Sequence, residues 1–222
     1  MLPKIKTLIV LSALLLISFK SDAQSYFEPK LSFSVDLGIP AKGHNESFSR
    51  IMEGLFNGGV AMQYNVFGGL TVGAGLKYSF FTMNPFALNN VQWGGSMHFP
   101  AAFLKLGYER FTTERASFNF SVRAGYAAIF SVNGNDSCTA LIEPEKFEMA
   151  FFVEPQFELV LLTDKVSANG FSLVLGYPFY FNEFGPRYLC LDKFPGLYDE
   201  DNTGITRFFS FGFGYRYYFG RK

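Results

Sequence analysis

From Lys30 onward the chain alternates bulky apolar residues with small or polar ones, and the pattern recurs in eight separate stretches. A period of two sends successive side chains to opposite faces of an extended strand. The strictest case is 116–130, where Phe118, Phe120, Val122, Tyr126 and Phe130 alternate with Asn119, Ser121, Arg123, Gly125 and Ala127. The last stretch, 205–219, sets Phe209, Phe211, Phe213, Tyr215, Tyr217 and Phe219 against Ser210, Gly212, Gly214 and Arg216. The other six strands are expected over 30–39, 55–66, 70–81, 97–109, 147–161 and 170–181.

The two faces differ in chemistry. One is nearly all Phe, Leu, Val and Tyr; the other is largely Gly, Ser, Ala, Asn and Thr with a few charges. A water-soluble carrier barrel would carry rows of Lys and Glu on its outside, and a uniformly apolar outside would aggregate in water. In hydrocarbon that face costs nothing, and a closed sheet satisfies every backbone amide. The chain has 29 Phe, 12 Tyr and 22 Gly, an aromatic load that lipid-facing strands and interfacial girdles can absorb. The expected fold is therefore all-β: an eight-stranded antiparallel up-and-down transmembrane β-barrel.

The links support that fold. Long ones over 41–54, 82–96, 131–146 and 182–204 alternate with short ones at 67–69, 110–115 and 163–169. Long loops on the outside and short periplasmic turns are the pattern of outer-membrane barrels, and they put both termini in the periplasm. Pro100, Pro155 and Pro178 fall inside expected strands. Proline cannot donate to a ladder, so bulges or earlier strand ends are expected there.

The N-terminus agrees with an exported protein. Lys4 and Lys6 precede an apolar run over 7–19, and Ser21-Asp22-Ala23 offers small residues before Gln24. That is the layout of a secretory signal peptide, and the run is too short for a membrane helix. Residues 1–23 are expected to be the signal and 24–222 the barrel. With 19 basic and 19 acidic residues, the chain carries no charge signature of nucleic-acid binding.

The inward face would hold Lys77, Lys105, Glu109, Arg123, Glu148, Glu154, Glu158 and Arg216. An eight-stranded barrel is just wide enough for side chains to fill, and buried charges must pair or meet water. Two readings stay open: a solid ion-pair plug, or a polar path whose inward glycines leave volume for water. Cys138 and Cys190 fall in the third and fourth long links. Export is oxidising, so a loop-to-loop disulfide is expected, with two free thiols as the alternative. His44, among Asn45, Glu46, Ser47 and Ser49, offers a base and a nucleophile, though a polar loop of this kind is ordinarily just solvated. Asp192, Asp199, Glu200 and Asp201 match no defined metal site, and no cofactor pattern appears.

The alternating strands and the closing run 209–219 resemble the small outer-membrane barrels of the OmpA membrane domain and OmpX type, most closely the barrel-domain proteins of Bacteroidetes. The resemblance implies an integral outer-membrane protein in contact with lipid. It also implies that Tyr215, Tyr217 and Phe219 match the terminal signal read by the barrel assembly machinery, although Gly220-Arg221-Lys222 runs past the usual closing aromatic. It does not imply one activity. The expectation is a non-enzymatic protein acting in envelope structure or surface contact through its loops. A narrow channel or small-solute transporter is the first alternative. A lipid-modifying enzyme at the barrel rim, a type some small barrels of this shape represent, is the second.

Overall fold

The computed structural model describes residues 29–43, 46–84, 86, 94–133, 145–164, 167–184, 189 and 205–220. The signal segment, His44, Cys138, Cys190 and the acidic run of the last long link lie outside the described residues.

The alternating stretches form β1 (Leu31–Gly43), β2 (Met52–Phe67), β3 (Leu70–Met83), β4 (Gly95–Thr113), β5 (Ala116–Asn133), β6 (Glu145–Leu162), β7 (Asn169–Gly176), β8 (Phe179–Glu183) and β9 (Ile205–Phe219). A six-residue helix, α1 (Glu46–Ile51), leads into β2. Neighbours pair antiparallel in chain order, and β1 closes the ring on β9. β7 and β8 both lie between β6 and β9, so they are two pieces of one interrupted strand and the ring has eight strand positions.

Strands run longer than the sequence pattern suggested. β4 reaches from Gly95 to Thr113, so most of the expected link at 110–115 is strand and the turn is only Glu114-Arg115. The links joining β2 to β3, β4 to β5 and β6 to β7 are short and share one end with the start of β1 and the finish of β9. The strand ends that the remaining links join lie at the other end, called the loop end below.

Pro100, Pro155 and Pro178 do not make bulges. Gln156 pairs with Gly176 and Val153 with Phe179, which is one unbroken register across the gap at Tyr177-Pro178. The β4–β5 ladder likewise lapses beside Pro100 between His98↔Phe130 and Ala101↔Ala127, and resumes in the same register. Each proline removes one N–H, but its carbonyl still accepts. Tyr177 N donates to Pro155 O at 3.0 Å, and Phe208 N to Pro178 O at 3.4 Å. Register shifts occur elsewhere, at Pro40/Gly43, Gly54/Phe56, Asn65/Phe67, Phe111/Thr113 and Tyr180/Glu183.

The outward face is apolar across the barrel: Leu104 is 71 % exposed, Phe171 65 % and Phe213 64 %. On the same face Arg110 lies near the turn end and Arg207 near the loop end, so charge returns only where the band finishes.

Gly68 and Gly69 form the two-residue hairpin between β2 and β3, both with positive φ (53° and 88°). That is the turn whose twist matches its strands. A Cβ on Gly69 would sit 2.4 Å from the Glu109 carbonyl oxygen, whereas one on Gly68 meets nothing within 4 Å. Gly69→Ala is therefore expected to cost about 1–3 kcal/mol and Gly68→Asn a few tenths. Urea unfolding of the two variants in detergent micelles measures the difference; equal midpoints would contradict the close approach.

Candidate functional site

The inward positions bring eight charged side chains into one buried set: Asp36, Lys77, Lys105, Glu109, Arg123, Glu154, Glu158 and Arg216. Four are cationic and four anionic, so the set is formally neutral. That balance suits a barrel too narrow to hydrate its charges freely.

They form two nodes stacked along the axis. In the node nearer the loop end, Lys77 Nζ lies 2.8 Å from Glu154 Oε1. Arg123 reaches Asp36 Oδ1 across the barrel at 2.9 Å and Glu154 Oε2 at 3.8 Å. In the second node Arg216 bridges Glu109, at 3.0 Å, and Glu158. Lys105 approaches Glu158 at 3.7 Å. Glu109 is the most fully satisfied group. One of its oxygens accepts from Arg216, from Tyr218 Oη at 2.5 Å and from Ser117 Oγ at 3.1 Å; the other accepts from Gln63 Nε2 at 2.8 Å. Asn119 Nδ2 in turn donates to Gln63 Oε1 at 3.0 Å.

Aromatic layers close both ends of this polar core. At the loop end Phe48 and Ile51 of α1 drop into the mouth onto Phe81, Phe99, Phe152, Tyr180 and Phe208, all of them buried. Phe48 meets Phe81 edge-on with ring centroids 4.9 Å apart, and Phe81 meets Phe208 at the same distance. The Lys77 ammonium lies 6.0 Å from the Phe152 centroid and 5.9 Å from that of Phe208, so the apolar layer rests on the first node. At the turn end Tyr218 packs with Phe111, Val160 and Leu162.

The sequence-predicted residues are distributed as follows. Lys77, Lys105, Glu109, Arg123, Glu154, Glu158 and Arg216 are brought together in the nodes. Glu148 also occupies an inward register position, but it is half-buried, level with Ile129 near the loop end, and outside the buried set. The inner face was expected to be small and polar throughout; its loop-end part is instead aromatic. The inward glycines hold space for neighbouring groups rather than water: a Cβ on Gly75 would stand 2.2 Å from the Val60 carbonyl oxygen and 2.6 Å from the Phe103 ring. The Arg123 guanidinium in turn lies 4.8 Å from the Phe103 centroid. Tyr215, Tyr217 and Phe219 are on the outward face of β9, partly exposed.

Sequence reasoning left Asp36, Gln63, Asn119 and Tyr218 out of the candidate set, although each has inward parity. It also passed over a signal for the aromatic layer. The Phe80-Phe81, Phe151-Phe152 and Phe208-Phe209 doublets break the alternation, and one member of each turns inward at the loop end.

No known family's sequence profile matches the chain, and no curated protein matches it in sequence. Among solved structures it is similar to Neisserial surface protein A, with 11 % identity, TM-score 0.49, and 85 % of this chain and 97 % of that one covered. It is also similar to Ail, the attachment invasion locus protein of Yersinia pestis, with 10 % identity, TM-score 0.46, and 86 % and 100 % covered. A third is the outer membrane protein OprG from Pseudomonas aeruginosa, with 10 % identity, TM-score 0.45, and 88 % and 100 % covered. These are loose likenesses of strand arrangement.

Truncating one member of a buried ion-pair network leaves its partners charged and unpaired, at about 3–5 kcal/mol. Arg216→Met strands both Glu109 and Glu158 and is expected to cost that much. Lys105→Met leaves Glu158 still held by Arg216 and should cost clearly less. Urea unfolding in micelles ranks the two variants; the reverse order would refute this account of the network.

Proposed function

We propose that the protein is an integral outer-membrane barrel with a sealed interior. Its role is structural or one of surface contact, exerted through the loop end. The observation that carries this reading is the inversion of ordinary burial: eight charged side chains point inward while the outward strand positions between Arg110 and Arg207 are apolar. In water such a surface would drive association; in hydrocarbon it is the stable arrangement. The strands, at 13 residues or more apart from the interrupted β7–β8 position, exceed the roughly 9–11 that a tilted strand needs to cross a bilayer. Their surplus carries the loop end clear of the membrane.

The filled interior favours a structural role over conduction. A solute entering at the loop end would have to part the Phe48–Phe81–Phe208 contacts and then break the Lys77–Glu154 pair. Short turns beside the termini support a periplasmic location for both chain ends. A disulfide between Cys138 and Cys190 would tie two loops together on the opposite side.

Three outcomes are expected. Membranes washed with alkaline carbonate should retain the protein, and the unboiled, detergent-extracted form should migrate differently from the boiled form. Reconstituted in planar bilayers, it should give no stepwise current. A compact monomer soluble without detergent would sink the membrane reading, and reproducible conductance steps would sink the sealed interior.

A further inference from the structure

Three side chains on the outward face form a hydrogen-bonded line that the sealed interior does not use. Ser96 Oγ lies 3.1 Å from Nε2 of His98, and Nδ1 of the same ring lies 2.6 Å from Tyr78 Oη. Ser96 and His98 are two residues apart on β4, so they share a face, and Tyr78 comes from β3, where it pairs with Pro100. With Nδ1–H donating to the Tyr78 oxygen, Nε2 is left to accept from the serine hydroxyl. That is a nucleophile, a base and an orienting group in sequence.

Position suggests the substrate. An apolar band about 25 Å tall is crossed by about ten residues of a tilted strand. Counted along β4 from Arg110, the band ends near Pro100. His98 and Ser96 lie just past that edge, at the level of lipid ester carbonyls. Next to them the outward face has a notch of about 300 Å³ where Gly58 carries no side chain, walled by Val35, Leu37, Phe56, Val60, Leu76 and Tyr78. Tyr78 is common to the notch and the hydrogen-bonded line, so an acyl chain seated in the notch would present its ester close to Ser96. Thr82, paired with Ser96 across β3–β4, shares its face and supplies a hydroxyl in register with the nucleophile.

The geometry points to a lipid ester hydrolase site at the barrel rim, with Ser96 as nucleophile, His98 as general base and Tyr78 as a positioning residue. Ser96 Oγ attacks the ester carbonyl carbon while its proton passes to Nε2. The tetrahedral adduct expels the alcohol oxygen, which takes that proton, and the acyl group stays on Ser96. Water then attacks the acyl-serine and gives a proton to Nε2. Collapse releases the carboxylic acid and returns the proton to Ser96 Oγ, so no other reactant is needed. The inference depends on the outward face meeting lipid but not on how the interior is filled, and it runs against the expectation of a non-enzymatic barrel.

The test uses the full processed chain folded in detergent micelles, with folded mobility on unboiled gels checked for every variant. A fluorescent fluorophosphonate should label the wild type, and Ser96→Ala should abolish labelling. His98→Asn should slow labelling by about 10²-fold or more. Tyr78→Phe should lower kcat at unchanged KM. Fatty-acid release is then measured from phosphatidylethanolamine vesicles and, separately, from micelles of an acylated glucosamine disaccharide. Ser96-dependent release from either supports the site and identifies the lipid. If protein of folded mobility shows no Ser96-dependent labelling, or no Ser96-dependent release from both lipids, the proposal is overturned. Loss of the folded mobility shift in the wild type would instead refute the membrane-barrel reading itself.

Discussion

A backbone amide in hydrocarbon has no water to fall back on, so a spanning sheet must have no free edge. Here that demand is met by the ladder from Leu31↔Phe219 to Ile39↔Phe211, which joins the first strand to the last. Much of the detail serves the same closure. The two-glycine hairpin at Gly68-Gly69 turns the chain without splaying its strands. Glycines such as Gly75 let adjacent strands approach more closely than any side chain would permit. Pro155 and Pro178 are tolerated because the register passes them unshifted and their carbonyls keep their partners.

Closure with so few strands leaves an interior that side chains must fill, and the chain fills it in two ways. The middle holds charge, stable only because each carboxylate finds a cation within reach. Glu109, which accepts from Arg216, Tyr218, Ser117 and Gln63, is the fullest instance. Toward the loop end the filling becomes aromatic, and α1 adds Phe48 and Ile51 as a stopper. With the interior committed to its own stability, the surfaces left for activity are the loop end and the outward face.

Much of this was legible in the sequence, because the side a strand residue faces is a local property. Parity alone places Lys77, Lys105, Arg123 and Arg216 on one face and Phe118, Phe213 and Tyr217 on the other. What was not legible is illustrated by Arg123. Strand order suggests the glutamates of β6 as its partners, and Glu154 does lie across the ladder from it. Yet its shortest ion pair is to Asp36, on a strand it does not adjoin. Glu148 shows the converse: it has the right parity but stays half-buried, outside the buried charged set. The hydrogen-bonded line at His98 was similarly hidden, because Tyr78 reaches the ring only through the pairing of β3 with β4.

By itself, then, the amino-acid order determined the strand number, the antiparallel sense and which side chains look inward, because a period-two pattern is written in consecutive residues and needs no distant partner. The tertiary structure alone decided the pairings across the barrel, the depth at which charge gives way to aromatic packing, and the meeting of Ser96, His98 and Tyr78. Those depend on how far each strand slides against the next around a closed ring, a quantity summed over every ladder and stated by no single stretch of chain.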